Sequence, residues 1–226
     1  GWRDICHGVS YVGSAEYMVH YPVPPLVNAP SLEMQPNSTG LIEAAAGLTY
    51  DDTKAWGYVA EIKVVAPPPG DDALVNFRNL ISSGPDEDPR LHWILSAIAP
   101  AATGFRLQGV LKTDSVVTPG SATASRISAD LAYGTTYRVA MFVSTDFATS
   151  VDVTSMDFWT SVSGSGTWTQ AGGAASTASG KPLGISKIIV GALPTRDSLR
   201  FDFNELRVHA NLSGGRPANS AAIVAI

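Results

Sequence analysis

The chain has 226 residues, 45% hydrophobic and only 15% charged, where soluble proteins average about 25% charged, so its surface must be built largely from Ser, Thr, Asn, Gly and Ala. This length suits one large β domain with an ample core. The formal charge is −5 and no two basic residues are adjacent, which excludes the clustered Lys and Arg that nucleic acid or an anionic membrane surface requires.

Residues 1–36 are rich in Tyr, Val and Pro and include Tyr21-Pro22-Val23-Pro24-Pro25. Proline cannot donate to a β ladder, so this region reads as edge strands or an extended arm that covers the sandwich or reaches a neighbour. Cys6 is the only cysteine, which rules out an intrachain disulfide. Gly1 in place of Met, without the basic and apolar regions of a signal peptide, points to a processed or excised start.

From Ala55 to Ala66, Trp56, Tyr58, Ala60, Ile62 and Val64 alternate with Glu61 and Lys63, the pattern of a half-exposed strand. Pro67-Pro68-Pro69-Gly70 stops it. Strands are predicted at 73–81, 91–98 and 104–112, the first two separated by the turn-like Ser82-Ser83-Gly84-Pro85-Asp86-Glu87-Asp88-Pro89. At 137–144 both faces are apolar, which marks a central strand, and 156–162 follows as another. The Ser, Gly, Thr and Ala of 163–180 predict a long flexible loop carrying Trp168. Within 184–212 two strands are expected. In the second, Leu199, Phe201 and Phe203 are odd-numbered while Leu206, Val208 and Ala210 are even-numbered, so a β-bulge near Asn204 and Glu205 is needed to keep both sets facing inward. No apolar run is long enough to span a bilayer, Ala221 to Ile226 included. The prediction is all-β: a two-sheet antiparallel jelly-roll sandwich at 37–212, an N-terminal arm at 1–36 and a C-terminal tail at 213–226.

The runs Leu131-Ala132-Tyr133-Gly134-Thr135-Thr136-Tyr137-Arg138-Val139-Ala140-Met141-Phe142-Val143, Ile185-Ser186-Lys187-Ile188-Ile189-Val190-Gly191 and Phe201-Asp202-Phe203-Asn204-Glu205-Leu206-Arg207-Val208 resemble, in order and pattern, the concanavalin A-like lectin and glucanase jelly roll, particularly its laminin-G-like branch. The resemblance covers roughly 50–212. It implies a structural calcium at the closing strand, where Asn204 stands in place of the expected Asp, with Asp202 and Glu205 nearby. A neutral oxygen in place of a carboxylate is a weaker calcium ligand, and strict alternation would separate neighbouring residues onto opposite faces.

Catalytic members of such folds use paired carboxylates, yet the Glu-x-Asp-x-x-Glu pattern is absent and Asp86-Glu87-Asp88 reads as a solvated acidic turn. Lyases of this fold use Arg, Gln, His and Tyr on a concave sheet; Arg106, Gln108, His92 and Tyr137 supply the types without the spacing. His7, His20 and His209 are dispersed, and no nucleophile elbow or phosphate-binding loop occurs, so no cofactor is implied beyond that calcium.

Aromatic rings offer a stronger functional lead, because a sugar's apolar face stacks on a ring while polar neighbours bond its hydroxyls. Trp168, in the polar run Gly166-Thr167-Trp168-Thr169-Gln170, is either an exposed stacking ring or one folded back on the sandwich; Trp159 and Trp93 are further candidates, with Gln108 and Arg106 as polar partners. Trp56 and Trp93 share parity with apolar neighbours, as core residues do. Asn37-Ser38-Thr39 and Asn211-Leu212-Ser213 fit N-glycosylation and hence secretion. The leading expectation is a non-catalytic, extracellular or surface-displayed domain that binds a polysaccharide or other glycan. One alternative is a structural subunit of a surface appendage or virion that self-associates through its arm and apolar tail; a further one is a polysaccharide lyase or glycosidase.

Overall fold

A computed structural model describes residues 18–21, 31–34, 39–43, 53–66, 77–82, 93–101, 103–114, 119–147, 152–182, 187–191, 200–212 and 214–224. Its strands are β1 (Met18–Tyr21), β2 (Ser31–Met34), β3 (Thr39–Glu43), β4 (Ala55–Ala66), β5 (Phe77–Ser82), β6 (Trp93–Ala101), β7 (Gly104–Asp114), β8 (Pro119–Ile127), β9 (Thr136–Asp146), β10 (Val153–Val162), β11 (Thr169–Gln170), β12 (Ser176–Ser179), β13 (Lys181–Pro182), β14 (Lys187–Gly191) and β15 (Arg200–Leu212). A single 3-10 turn, Ala171–Gly173, and one short helix, α1 (Ser220–Val224), complete the described elements.

Two antiparallel sheets face each other. One runs β1-β2-β15-β4-β9-β10-β11, with β12 also on β10; the other runs β13-β7-β6-β5-β14-β3, with β8 also on β7. The period-2 pattern of the sequence explains this packing. On β4, Trp56, Tyr58, Ala60, Ile62 and Val64 are at most 1% exposed and join one core with Phe105, Leu107 and Leu111 of the opposite sheet. Burying each such large side chain contributes about 1.5–3 kcal/mol.

The parity break in β15 is a bulge. Phe203 pairs with Ile62 and Glu205 with Glu61, leaving Asn204 as the extra residue, so Phe201, Phe203, Leu206 and Val208 all reach the core. The bulge also puts Asp202 and Glu205 on the same outer face, opposite Lys63 and Glu61, rather than on the opposite faces that strict alternation predicts.

β9 lies between β4 and β10 and is apolar on both sides. Tyr137, Val139, Met141 and Val143 enter the core, while Ala140 and Phe142 belong to a second cluster on the outer face. Gly57 pairs with Phe142, and a Cβ there would lie 2.5 Å from that ring and 2.3 Å from the Met141 carbonyl oxygen. Glycine at this position is what lets the ring cross the neighbouring strand.

The flexible loop predicted at 163–180 is instead packed. β12 pairs with β10 from Val153↔Ser179 to Met156↔Ser176, and Gly172 and Gly173 take positive φ at the turn before it. Arg126 donates from Nε to the Ala174 carbonyl (2.9 Å) and from Nη2 to the Ala175 carbonyl (2.6 Å), fastening the turn to β8. A segment of small polar residues is ordered here by ladder bonds and one arginine, which composition cannot reveal. The Ser- and Ala-rich β8 has no alternation signal for the same reason.

The described parts of 1–36, β1 and β2, form the edge of the eight-stranded sheet, β2 pairing with β15. The described part of the tail, 214–224, lies on the outer face of that sheet through Ile223. The Pro67–Gly70 stop, the acidic turn Asp86–Asp88, His92, Cys6 and His7 lie outside the described residues.

Candidate functional site

The outer face of the eight-stranded sheet carries the densest polar and aromatic grouping among the described residues. Register assembles it. Trp159 sits opposite Ala140, which sits opposite Val59; Asp157 opposite Phe142; and Ser161 opposite Arg138, which sits opposite Glu61. Val59, Ala140, Phe142, Trp159, Trp168 and Ile223 form a compact apolar cluster there, with Leu212 at its margin.

A polar network borders the cluster. Asp157, 5% exposed, accepts from Gln170 Nε2 at one carboxylate oxygen (2.8 Å) and from Arg216 Nη1 at the other. Arg216 Nε also donates to Ser144 Oγ (2.7 Å). The Arg138 guanidinium lies 5.6 Å from the centre of the Trp168 ring, a cation–π contact. Glu61, 5% exposed, accepts from Ser163 Oγ at 2.7 Å. The Trp168 backbone N–H donates to Ser220 Oγ at 2.8 Å. The Trp159 indole N–H is buried and has no hydrogen-bond partner among the described residues, a costly arrangement for a polar group.

Of the residues singled out from sequence, Trp159 and Trp168 are brought together, but neither is an exposed ring: they are 5% and 6% exposed. The folded-back alternative holds for Trp168, and Trp159 is buried with it in the cluster that Ile223 of α1 joins. Arg106 and Gln108 lie on β7, in the opposite sheet, alternating with the core residues Phe105 and Leu107 and so facing away from the tryptophans. Arg106 is within 3.8 Å of Asp130. Trp93 pairs in register with Leu111; its side chain is outside the described residues.

Of the lyase-type set, Tyr137 is in the core, its hydroxyl accepting the Ala132 N–H at 3.0 Å and its ring edge-on to Phe105, whereas Arg106 and Gln108 lie on the outward face of β7 and His92 is outside the described residues. At the closing strand, Asp202 is 3.9 Å from Lys63 and Glu205 accepts from Arg207 Nε at 2.5 Å; the Asn204 side chain is outside the described residues. Among the described residues no group of three or more His, Cys, Asp or Glu side chains is placed to hold a metal ion. Sequence reasoning missed Arg138, Asp157, Gln170 and Arg216. Only alternation on β9 and β10 hinted at the first two, and nothing local pointed to Arg216, which meets Asp157 from 59 residues away.

Two facing antiparallel sheets define an all-β jelly-roll sandwich. Among solved structures it is similar to the binding domain of botulinum neurotoxin serotype D (TM-score 0.58, 10% identity, covering 97% of this chain and 46% of that one). It is also similar to the type G receptor binding domain (0.57, 9%, 97% and 47%) and to the binding domain of botulinum neurotoxin DC in complex with SialylT (0.52, 11%, 92% and 44%). At these identities the likeness shows the fold, and the chain spans less than half of each of those structures. No protein-family model matches the sequence, and no curated protein matches it. Among the described residues no helix is long and apolar enough to cross a membrane.

Proposed function

We propose that this chain is a non-catalytic carbohydrate-binding domain that works outside the cell, with its binding surface on the outer face of the eight-stranded sheet. The observation that carries the proposal is the joining of Trp159 and Trp168 to the Asp157–Gln170–Arg216 network on one rigid face. Saccharide sites combine an aromatic surface with a few fixed polar groups, and β9 and β10 supply both. The placement of Tyr137 in the core, away from Arg106 and Gln108 on the outward face of β7, supports binding without catalysis. The similar structures are named as binding domains, one in complex with SialylT. The two Asn-x-Ser/Thr patterns support an extracellular setting, and the runs at 131–143 and 201–208 support the laminin-G-like branch.

Retention on immobilised polysaccharides tests this reading. The wild-type chain is expected to be retained on at least one polymer, and Asp157→Ala to lose at least about tenfold in affinity, the effect of about 1.4 kcal/mol. Undiminished retention of the variant would move the site elsewhere.

A second reading, an assembly subunit, is supported by the sheet edges at β1 and β3, where strand addition can occur. Light scattering separates the two: ordered oligomers without polysaccharide retention would favour assembly.

A further inference from the structure

Residues 214–224 meet the face that carries the two tryptophans through Ile223, Ser220 and Arg216. Arg216 presents two donors to the sheet, one to an Asp157 carboxylate oxygen and one to Ser144 Oγ, which is how neighbouring hydroxyls of a sugar would meet the same acceptors. Gln170 holds the other oxygen of Asp157, so the acceptor stays oriented when Arg216 leaves. Ile223, 4% exposed, packs in the cluster of Trp159 and Trp168, where the apolar face of a sugar ring would stack. The unpartnered Trp159 N–H in that cluster finds no acceptor in an isoleucine, but a ligand hydroxyl or ring oxygen can accept from it.

The segment is short. α1 has five residues with Ile223 as its buried side chain, Pro217 before it is buried, and the polar ties to the sheet side are made at Arg216 and Ser220.

We propose that 214–224 is a built-in stand-in for a neutral saccharide: Arg216 takes the place of its hydroxyls, Ile223 that of its apolar face, and ligand binds by displacing the segment. The inference rests on the carbohydrate-binding reading above and adds both the ligand class and the control of access. Neutral ligands are favoured because removing Arg216 leaves the Asp157 carboxylate uncompensated, which opposes an anionic sugar at that point. A site occupied by its own cover binds with an affinity reduced by the fraction of molecules that are open, so loosening the cover strengthens binding.

The test uses the full chain, immobilised mannan, galactan and polygalacturonate, and the variants Arg216→Ala and Ile223→Ser checked for folding by circular dichroism. Hydrogen exchange of 214–224 is followed in the wild-type chain with and without soluble mannan or galactan. The expected result is retention on a neutral polymer, about tenfold tighter binding by each variant, and faster exchange of 214–224 when ligand is present, the reverse of the usual protection. Equal affinities together with unchanged or slowed exchange would overturn the stand-in while leaving carbohydrate binding intact. Retention on polygalacturonate alone would overturn the neutral-ligand assignment. Absence of retention by wild type and variants alike would overturn both readings. If the variants fail to fold, wild-type exchange decides the matter.

Discussion

Gly109 on β7 is where the two sheets approach through a missing side chain. A Cβ added there would lie 2.8, 3.1 and 3.3 Å from Cδ2, Cγ and Cε2 of Phe158 on β10, whereas carbon atoms in contact sit about 3.5–4.0 Å apart. The ring would have to retreat by about 0.7 Å or more, yet Phe158 is 0% exposed in the middle of the core. Three ring atoms are crowded together, so turning the ring exchanges one clash for another. Overpacking of this kind costs about 1–3 kcal/mol. Replacing Gly by Ala on a strand returns about 0.5–1 kcal/mol of backbone entropy, so Gly109→Ala is expected to lose about 1–2 kcal/mol. Urea titration followed by tryptophan emission should show the midpoint falling by roughly 0.5–1 M at an ordinary m-value. In a Phe158→Leu background the methyl has room, and the penalty should shrink to within about 0.5 kcal/mol of zero. A penalty equal in both backgrounds, or none in either, would refute the inter-sheet contact as its cause.

Burial pushes the Tyr58 hydroxyl above its ordinary pKa of 10.0; above that pH the unfolded chain has lost a proton that the folded chain keeps, so stability falls by about 1.4 kcal/mol per pH unit from this group. Tyr58→Phe should remove that share of the alkaline slope in denaturation series between pH 9 and roughly pH 11, and an unchanged slope would contradict the assignment. Thr154, 0% exposed, donates its hydroxyl to the Gly180 carbonyl at 2.6 Å and lies 3.1 Å from the Thr145 hydroxyl; Thr154→Val keeps the shape, strands the carbonyl and should cost about 1–3 kcal/mol by chemical denaturation. Calcium at Asp202, Asn204 and Glu205 would have to draw Asp202 from Lys63 and Glu205 from Arg207. Millimolar calcium is therefore expected to leave the melting temperature within about 1 °C, and a rise beyond the 2–4 °C that about 1 kcal/mol gives a chain of this size would establish the site.

What the sequence by itself determined was the sandwich: alternation on β4, β7 and β9 assigns each side chain to a face, and the parity break demands the bulge that occurs at Asn204. These features are legible because a strand's period is local, two residues at a time. The apolar outer positions Ala140 and Phe142 also marked β9 as central before any partner was known. The tertiary structure alone decided the site. The Gly, Ser and Thr around Trp168 left its burial open; it is buried, and the tail brings Ser220 and Ile223 to it from more than fifty residues away. Asp157 becomes a fixed acceptor only when β11 brings Gln170 beside it and the tail brings Arg216. Register and coverage arise from pairings between segments distant in the chain, and no local pattern of residues encodes them.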